Sequence, residues 1–181
     1  DPKDPRFAQI QRANQSNYGY EWQAFSHEYR EWDSIYKTSY VFEDDAFFNG
    51  KLGLDGGCGM ARYSLPPVKR GAEVVGLDLS NAIEAAYRKS LTVAMFHSVQ
   101  GDIFNLPFKD QAFDFVQSLG VIHITPAPEL ALLSLKRVVK AQGKMFLYVY
   151  QSFEEHARLK HYMLKVVNPL RRLTIKMPSN I

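Results

Sequence analysis

Cysteine is nearly absent: Cys58 stands alone among 181 residues, so neither an internal disulfide framework nor a cysteine-rich zinc site can be built. That scarcity suits a reducing compartment, and the expected location is cytoplasmic. Long apolar runs are missing as well. The most notable, Met145-Phe-Leu-Tyr-Val-Tyr150, falls far short of the roughly 18 residues that span a bilayer. The N-terminus, Asp1-Pro-Lys-Asp-Pro5, has no initiator Met and no apolar signal-peptide core, as expected of trimmed ends or a fragment. No repeat or low-complexity tract occurs, and 46% hydrophobic with 23% charged residues excludes disordered and fibrous classes. A net charge of +3 gives no reason to expect nucleic acid. What remains is one domain's worth of residues, enough to bury a sizeable core.

Three zones follow one another, with expected bounds 1–50, 51–150 and 151–181. The first is aromatic and acidic, with nine acids against five bases. Trp22, Phe25, Tyr29, Trp32 and Tyr36 recur at three- and four-residue steps and predict a helix that packs its aromatic stripe on something else. The third zone is basic and helical in pattern, with six bases against Glu154 and Glu155. A solvated helix face is the ordinary reason for such a tail, and an acidic-substrate or membrane-surface patch the alternative.

The middle zone alternates short apolar runs with helical patterns. Strands are predicted at Leu52–Asp55, Glu73–Asp78, Met95–Gln100, Phe113–Ser118 and Lys144–Tyr150. A helix signal begins at Ser80, and another helix runs from about Pro128 to Lys140, stopped by Gly143. Such alternation reads as βαβ units, hence an α/β fold with a parallel sheet and helices on both faces.

Ligands of an open parallel sheet sit beyond the carboxyl ends of its strands, and the notable residues fall there. After the first strand comes Asp55-Gly-Gly-Cys-Gly-Met-Ala-Arg62, a loop able to turn sharply and approach a ligand. Asp78 closes the second strand, where a carboxylate accepts hydrogen bonds from ribose hydroxyls; as a strand-end group it is expected to pack little. Gly101-Asp102 follows the third strand and puts a carboxylate where an adenine amine would lie. The dinucleotide fingerprint fails, because Gly57-Cys-Gly59 is followed by Met60-Ala61-Arg62. Three acids at three strand ends suit a cationic, phosphate-free nucleoside such as S-adenosylmethionine and would repel a pyrophosphate. Cys58 lacks an identifiable partner base and is expected to be a small loop residue.

Leu54-Asp-Gly-Gly-Cys-Gly59, Val75-Gly-Leu-Asp-Leu-Ser80, Val99-Gln-Gly-Asp102 with Leu106-Pro-Phe108, and Phe113-Asp-Phe-Val116 through Ser118-Leu-Gly-Val-Ile-His123 carry a resemblance. In this order and spacing they resemble the Rossmann-like S-adenosylmethionine-dependent methyltransferases that act on small molecules. Tyr18-Gly-Tyr-Glu-Trp22 is similar to an N-terminal segment of some of these enzymes, where a helical layer caps the cofactor. The resemblance implies strand order 3-2-1-4-5, an N-terminal helical cap and C-terminal helices. It implies that Asp55, Gly57, Cys58 and Gly59 form the loop along the methionine part. Asp78 and Leu79 would then meet the ribose, Asp102 and Ile103 the adenine, and the backbone of Leu119 and Gly120 the ammonium. His123 would face the transferred methyl and could deprotonate a substrate; a structural role is its alternative.

Four features depart from the family's pattern. Ala61 stands where a glycine is usual, Gly53 where a bulky strand residue is usual, and Ala141-Gln142-Gly143 where a Pro-Gly-Gly turn is usual. Pro66-Pro67 falls where the first crossover helix should run, and proline inside a helix costs about 3 kcal/mol. The family's final antiparallel strand pair has no counterpart after Tyr150. A fragment of a longer chain is therefore expected, or a homodimer or aggregate joined at the exposed strand edge. The expected activity is methyl transfer to an O, N or C nucleophile of a small molecule, releasing S-adenosylhomocysteine, with no metal site. The alternatives are an NAD(P)-dependent oxidoreductase and a non-catalytic interaction subunit with the same fold.

Overall fold

Apolar runs bounded by turn residues become five strands: β1 (Leu52–Gly56), β2 (Glu73–Asp78), β3 (Phe96–Gln100), β4 (Phe113–Leu119) and β5 (Val139–Tyr148). In the computed structural model, which describes residues 5–24, 32–40 and 44–150, all pair in parallel in the order β3-β2-β1-β4-β5. The helices are α1 (Pro5–Ala24), α2 (Trp32–Ile35), α3 (Leu65–Lys69), α4 (Ile83–Ser90) and α5 (Pro128–Val138). Short turns of 3₁₀ helix cover Asp45–Phe48 and Ile122–Ile124. This is the expected Rossmann-like order. All these elements belong to one compact unit, Asp1–Val149. None of the described helices is long and apolar enough to cross a membrane.

Each face of the sheet covers its own core. Leu54, Leu77 and Val116 point toward Leu135 and Val138 of α5, while Val74, Phe96 and Phe115 point toward Tyr36, Phe48 and Ala86. The N-terminal segment thus supplies part of the second core. Arg70 binds it from outside the apolar layer: its guanidinium donates to both oxygens of Asp33, at 2.6 and 3.2 Å, and to Asp45 at 2.7 Å. Of the aromatic stripe, Tyr36 is buried, whereas Phe25 and Tyr29 lie outside the described residues. The basic zone 151–181, with its expected helices and the question of a last strand pair, also lies outside them.

Three expectations are corrected. Pro66 and Pro67 do not interrupt a helix; α3 begins at Leu65, and the prolines occupy its first turn, where no backbone donor is needed. The helix expected to reach Lys140 ends at Val138, and the chain passes directly into β5. Gly143 is no helix stop but part of an irregularity in the β4–β5 ladder, where Phe113 pairs Val139 and Phe115 already pairs Lys144. A Cβ at Gly143 would lie 2.8 Å from the Asp114 carbonyl oxygen, so the backbone there admits no side chain.

The unusual Gly53 has a packing reason. It pairs with Phe115 across β1 and β4, and a Cβ built on it would clash with the Cζ end of the Phe115 ring. That ring packs edge-on to Phe48 at 5.3 Å between centroids. The missing side chain on one strand is filled by an oversized one on the next. Gly53→Val should therefore overpack the core and cost about 1–3 kcal/mol. Urea denaturation should show the double variant Gly53→Val/Phe115→Val regaining much of that loss, since the two positions share one volume. Additive losses would refute the pairing.

Candidate cofactor-binding site

The loop after β1 is folded onto the carboxyl end of β2. The Gly57 and Cys58 N–H groups both donate to the Leu77 carbonyl, at 2.7 and 3.0 Å, and the Gly59 N–H donates to Asp78 Oδ2 at 2.8 Å. Left-handed backbone makes the turn possible, with φ of +85° at Gly57 and +54° at Gly59. At Gly57 the space is closed too, because a Cβ would come within 2.5 Å of both Val121 methyls. Ala61 takes the same left-handed conformation, φ +67°, that the usual glycine would take. That costs about 1–2 kcal/mol, offset in part by a methyl that is fully buried.

Asp78 does more than end a strand. Its Oδ1 accepts from the Ser80 N–H at 2.8 Å and the Ser80 hydroxyl at 2.7 Å, while Oδ2 holds Gly59. The expectation that it packs little is thereby corrected: it holds the glycine loop and the entry to α4 together. One acceptor position remains on Oδ2. Asp102 is likewise engaged, with Oδ1 accepting the Phe104 N–H at 3.0 Å and Oδ2 accepting Gln11 Nε2 at 2.8 Å; each oxygen keeps a second acceptor position.

Asp55 is 2% exposed, beneath the loop, and accepts the Ser64 hydroxyl at 2.6 Å. Burial pushes its carboxyl up to about 6, against the hydrogen bonds from Ser64 and Gln117 and with the help of the Asp78 charge. Beside it, Gln117 of β4 is fully buried; it accepts the Tyr36 hydroxyl at 2.7 Å and donates to the Tyr63 carbonyl at 2.8 Å. This is a satisfied polar cluster inside the core rather than a lining of the cleft.

The other expected residues divide between backbone and side-chain positions. Cys58 turns its side chain inward over Gly76, and burial raises its thiol well above the ordinary range, so it is no nucleophile. Ile103 and Leu119 bury their side chains in the two cores and leave only backbone for a ligand. Leu79 offers its carbonyl, which accepts Gln15 Nε2 at 3.1 Å. Gly120, at φ +80°, turns the chain out of β4 and donates to the Tyr148 carbonyl at 2.9 Å. His123 follows within the 3₁₀ turn; burial lowers its pKa and favours neutral imidazole. Sequence reasoning missed Gln11, Asn14 and Gln15 of α1, which bond to Asp102, the Ile124 carbonyl and the Leu79 carbonyl. Their signal was there: three amides at i, i+3 and i+4 share one helix face. Val121, which covers Gly57, had no signal.

The rim therefore offers acceptors. Two carboxylates stand over a third, buried one, and three successive N–H groups of the glycine loop are already engaged by β2. A site for pyrophosphate needs such N–H groups free and pointing outward. This set of acceptors instead suits a ligand with hydroxyls, an amine and positive charge.

The profile of the methyltransferase domain matches residues 54–147, the strands and loops just described. The chain belongs to that family. A protein of Encephalitozoon cuniculi named as a methyltransferase is 37% identical over 120 residues, 65% of this chain and 53% of its own length. The demethylmenaquinone methyltransferase of Staphylococcus haemolyticus is 36% identical over 108 residues, covering 58% and 45%. The chain thus spans about half the length of these curated relatives. Among solved structures, the PH0226 protein of Pyrococcus horikoshii superposes with a TM-score of 0.57 at 27% identity, covering 74% of this chain and 65% of that one.

The raised Asp55 carboxyl gives this methyltransferase domain a definite pH signature. Folded, the group binds its proton more tightly than in the unfolded chain, where its ordinary value is 3.8. The stability it contributes is full below about pH 4 and is lost as pH rises through about 6. Asp55→Asn, which keeps the Ser64 contact and does not titrate, should gain on wild type by about 2–3 kcal/mol between pH 4 and pH 7. Urea denaturation of both proteins across that range checks it; parallel pH curves would show that Asp55 stays ionised.

Proposed function

We propose that the domain binds S-adenosylmethionine and transfers its methyl group to an O, N or C nucleophile of a small molecule. The observation that carries this reading is the use of the loop's N–H groups. Gly57, Cys58 and Gly59 direct theirs into the end of β2, leaving a rim of carboxylates and carbonyls. That is the wrong polarity for the pyrophosphate of a nicotinamide cofactor and the right one for a sulfonium with an ammonium group. The name of the staphylococcal relative supports a small-molecule acceptor.

Bound there, S-adenosylmethionine supplies an electrophilic methyl on a positive sulfur. The residues' own work is to hold and orient. The free acceptor position of Asp78 would take a ribose hydroxyl, and Asp102 the adenine amine. The backbone from Leu119 to Gly120 would face the ammonium, with Asp55 beneath adding negative charge when ionised. Glycine at 59 would let the loop pass close beside the methionine part, while glycine at 57 makes room for Val121. Val121, lying over Gly57, would exclude water from one side. His123, neutral through burial, could take the proton of an acceptor that must lose one. Positioning supplies most of the acceleration, since the acceptor need only be held about 3–3.5 Å from the methyl.

Calorimetric titration with S-adenosylhomocysteine tests the reading, with NAD in a parallel cell. Heat with the former and none with the latter is expected; the reverse would overturn it. Asp78→Asn should raise the dissociation constant about ten- to hundredfold, the loss of one charge-assisted acceptor. Its hydrogen bonds to Gly59 and Ser80 mean the same variant should also melt earlier. Unchanged affinity would remove Asp78 from the site.

A further inference from the structure

The face that α1 turns toward the sheet is unusual for a docked helix. Phe7, Gln11, Asn14 and Gln15 lie at i, i+4, i+7 and i+8 and are half-buried, while Arg12, Ala13 and Ser16 are exposed. Only Phe7 is apolar, resting on Phe104 at 5.0 Å between ring centroids. The other three are amides, and each bonds to a different strand-end loop: Gln11 to Asp102 after β3, Gln15 to the Leu79 carbonyl after β2, Asn14 to the Ile124 carbonyl after β4. Over residues 5–16, the part of α1 whose side chains are described, these contacts are mainly polar and gain little from apolar burial. The helix also spans the three loops that surround the nucleoside site.

The contact at Asp102 has a chemical counterpart. Gln11 Nε2 is a neutral NH₂ donor lying 2.8 Å from the carboxylate oxygen Oδ2, and the exocyclic amine of an adenine is another neutral NH₂ donor. We infer that Gln11 is an internal occupant of the base-binding acceptor: docked α1 takes one position on Asp102 Oδ2 with its own amide, and an adenine amine directed at that same position must displace it. The inference rests on the reading of Asp102 as the adenine acceptor. It adds that apparent affinity is set by the fraction of molecules in which Gln11 has let go, since a ligand that needs the minor form binds more weakly by that fraction. Gln15 and Asn14 hold α1 in register without touching Asp102.

Gln11→Ala isolates the contention, because alanine keeps the helix and removes only the amide. Titration with S-adenosylhomocysteine should show the variant binding about three- to tenfold more tightly than wild type, the fraction released by one hydrogen bond to a partly exposed carboxylate. In an Asp102→Ala background the same change should leave affinity unaltered, because the contested acceptor is gone. Hydrogen exchange should show the backbone amides of residues 7–16 less protected in the saturated wild-type protein than in the free one. Equal or weaker binding by Gln11→Ala, or greater protection of α1 with ligand, would overturn the inference and make α1 a cap that closes on its ligand. The two readings fail separately: weakening by Asp78→Asn with no effect of Gln11→Ala keeps the site and removes the contention. No binding by either wild type or Gln11→Ala removes both.

Discussion

The site depends on one constraint, the attachment of the glycine loop to the end of β2. Two N–H groups on the Leu77 carbonyl and a third on Asp78 fold the chain back within three residues. That reversal brings the ends of β1 and β2 together and sets Asp55 beneath the loop. It also determines polarity. Donors that a dinucleotide-binding loop would turn outward are used internally, because the N–H groups of residues 57–59 are spent on Leu77 and Asp78. The carboxylate of Asp78 is at once a fastener of the fold and a candidate ligand group. A change there is expected to act on stability and binding together, through the same three hydrogen bonds.

Beneath the loop, the sheet accommodates a buried polar cluster and an aromatic cluster side by side. Asp55 and Gln117 are register partners on β1 and β4, and Gln117 carries the contact onward to Tyr36 of the N-terminal segment. Two positions away, Gly53 and Phe115 are partners in the same ladder, and Phe115 meets Phe48 from that segment. Among the described residues, the N-terminal layer joins the core through the buried Tyr36–Gln117 hydrogen bond and several ring contacts, with Arg70 closing the outside. Removing any buried polar member would leave its partner unsatisfied at a cost of about 1–3 kcal/mol. By contrast, residues 7–15 of α1 meet the strand-end loops through the Phe7–Phe104 ring contact and the amides of Gln11, Asn14 and Gln15.

The parallel sheet and the three acids at its strand ends were legible in the sequence, because period and punctuation are local properties; the strand order came only with the family resemblance. Apolar runs ending in Asp55, Asp78 and Gly101-Asp102 needed no partner to be recognised. The departures from the family's pattern were visible as well, but their meaning was not. Gly53 made sense only beside Phe115, sixty-two positions away in the chain, and Pro66-Pro67 only once the helix was seen to start at Leu65. The passage from α5 into β5 at Val139 was misjudged, since Lys140 to Gln142 suit a helix end as well as an irregular strand.

By itself the sequence determined which residue types stand at the carboxyl ends of the strands, and hence an α/β domain with the motifs of the methyltransferase family. Tertiary structure alone decided which atoms of those residues remain available. Asp78 is partly consumed by Gly59 and Ser80, Cys58 faces inward, and Asp102 is met by an amide ninety-one residues earlier in the chain. A hydrogen bond is directional and saturable, so its donor and acceptor must be brought within about 3 Å. Residue spacing along the chain carries no record of contacts at that separation; they arise only when distant segments are packed against the same sheet.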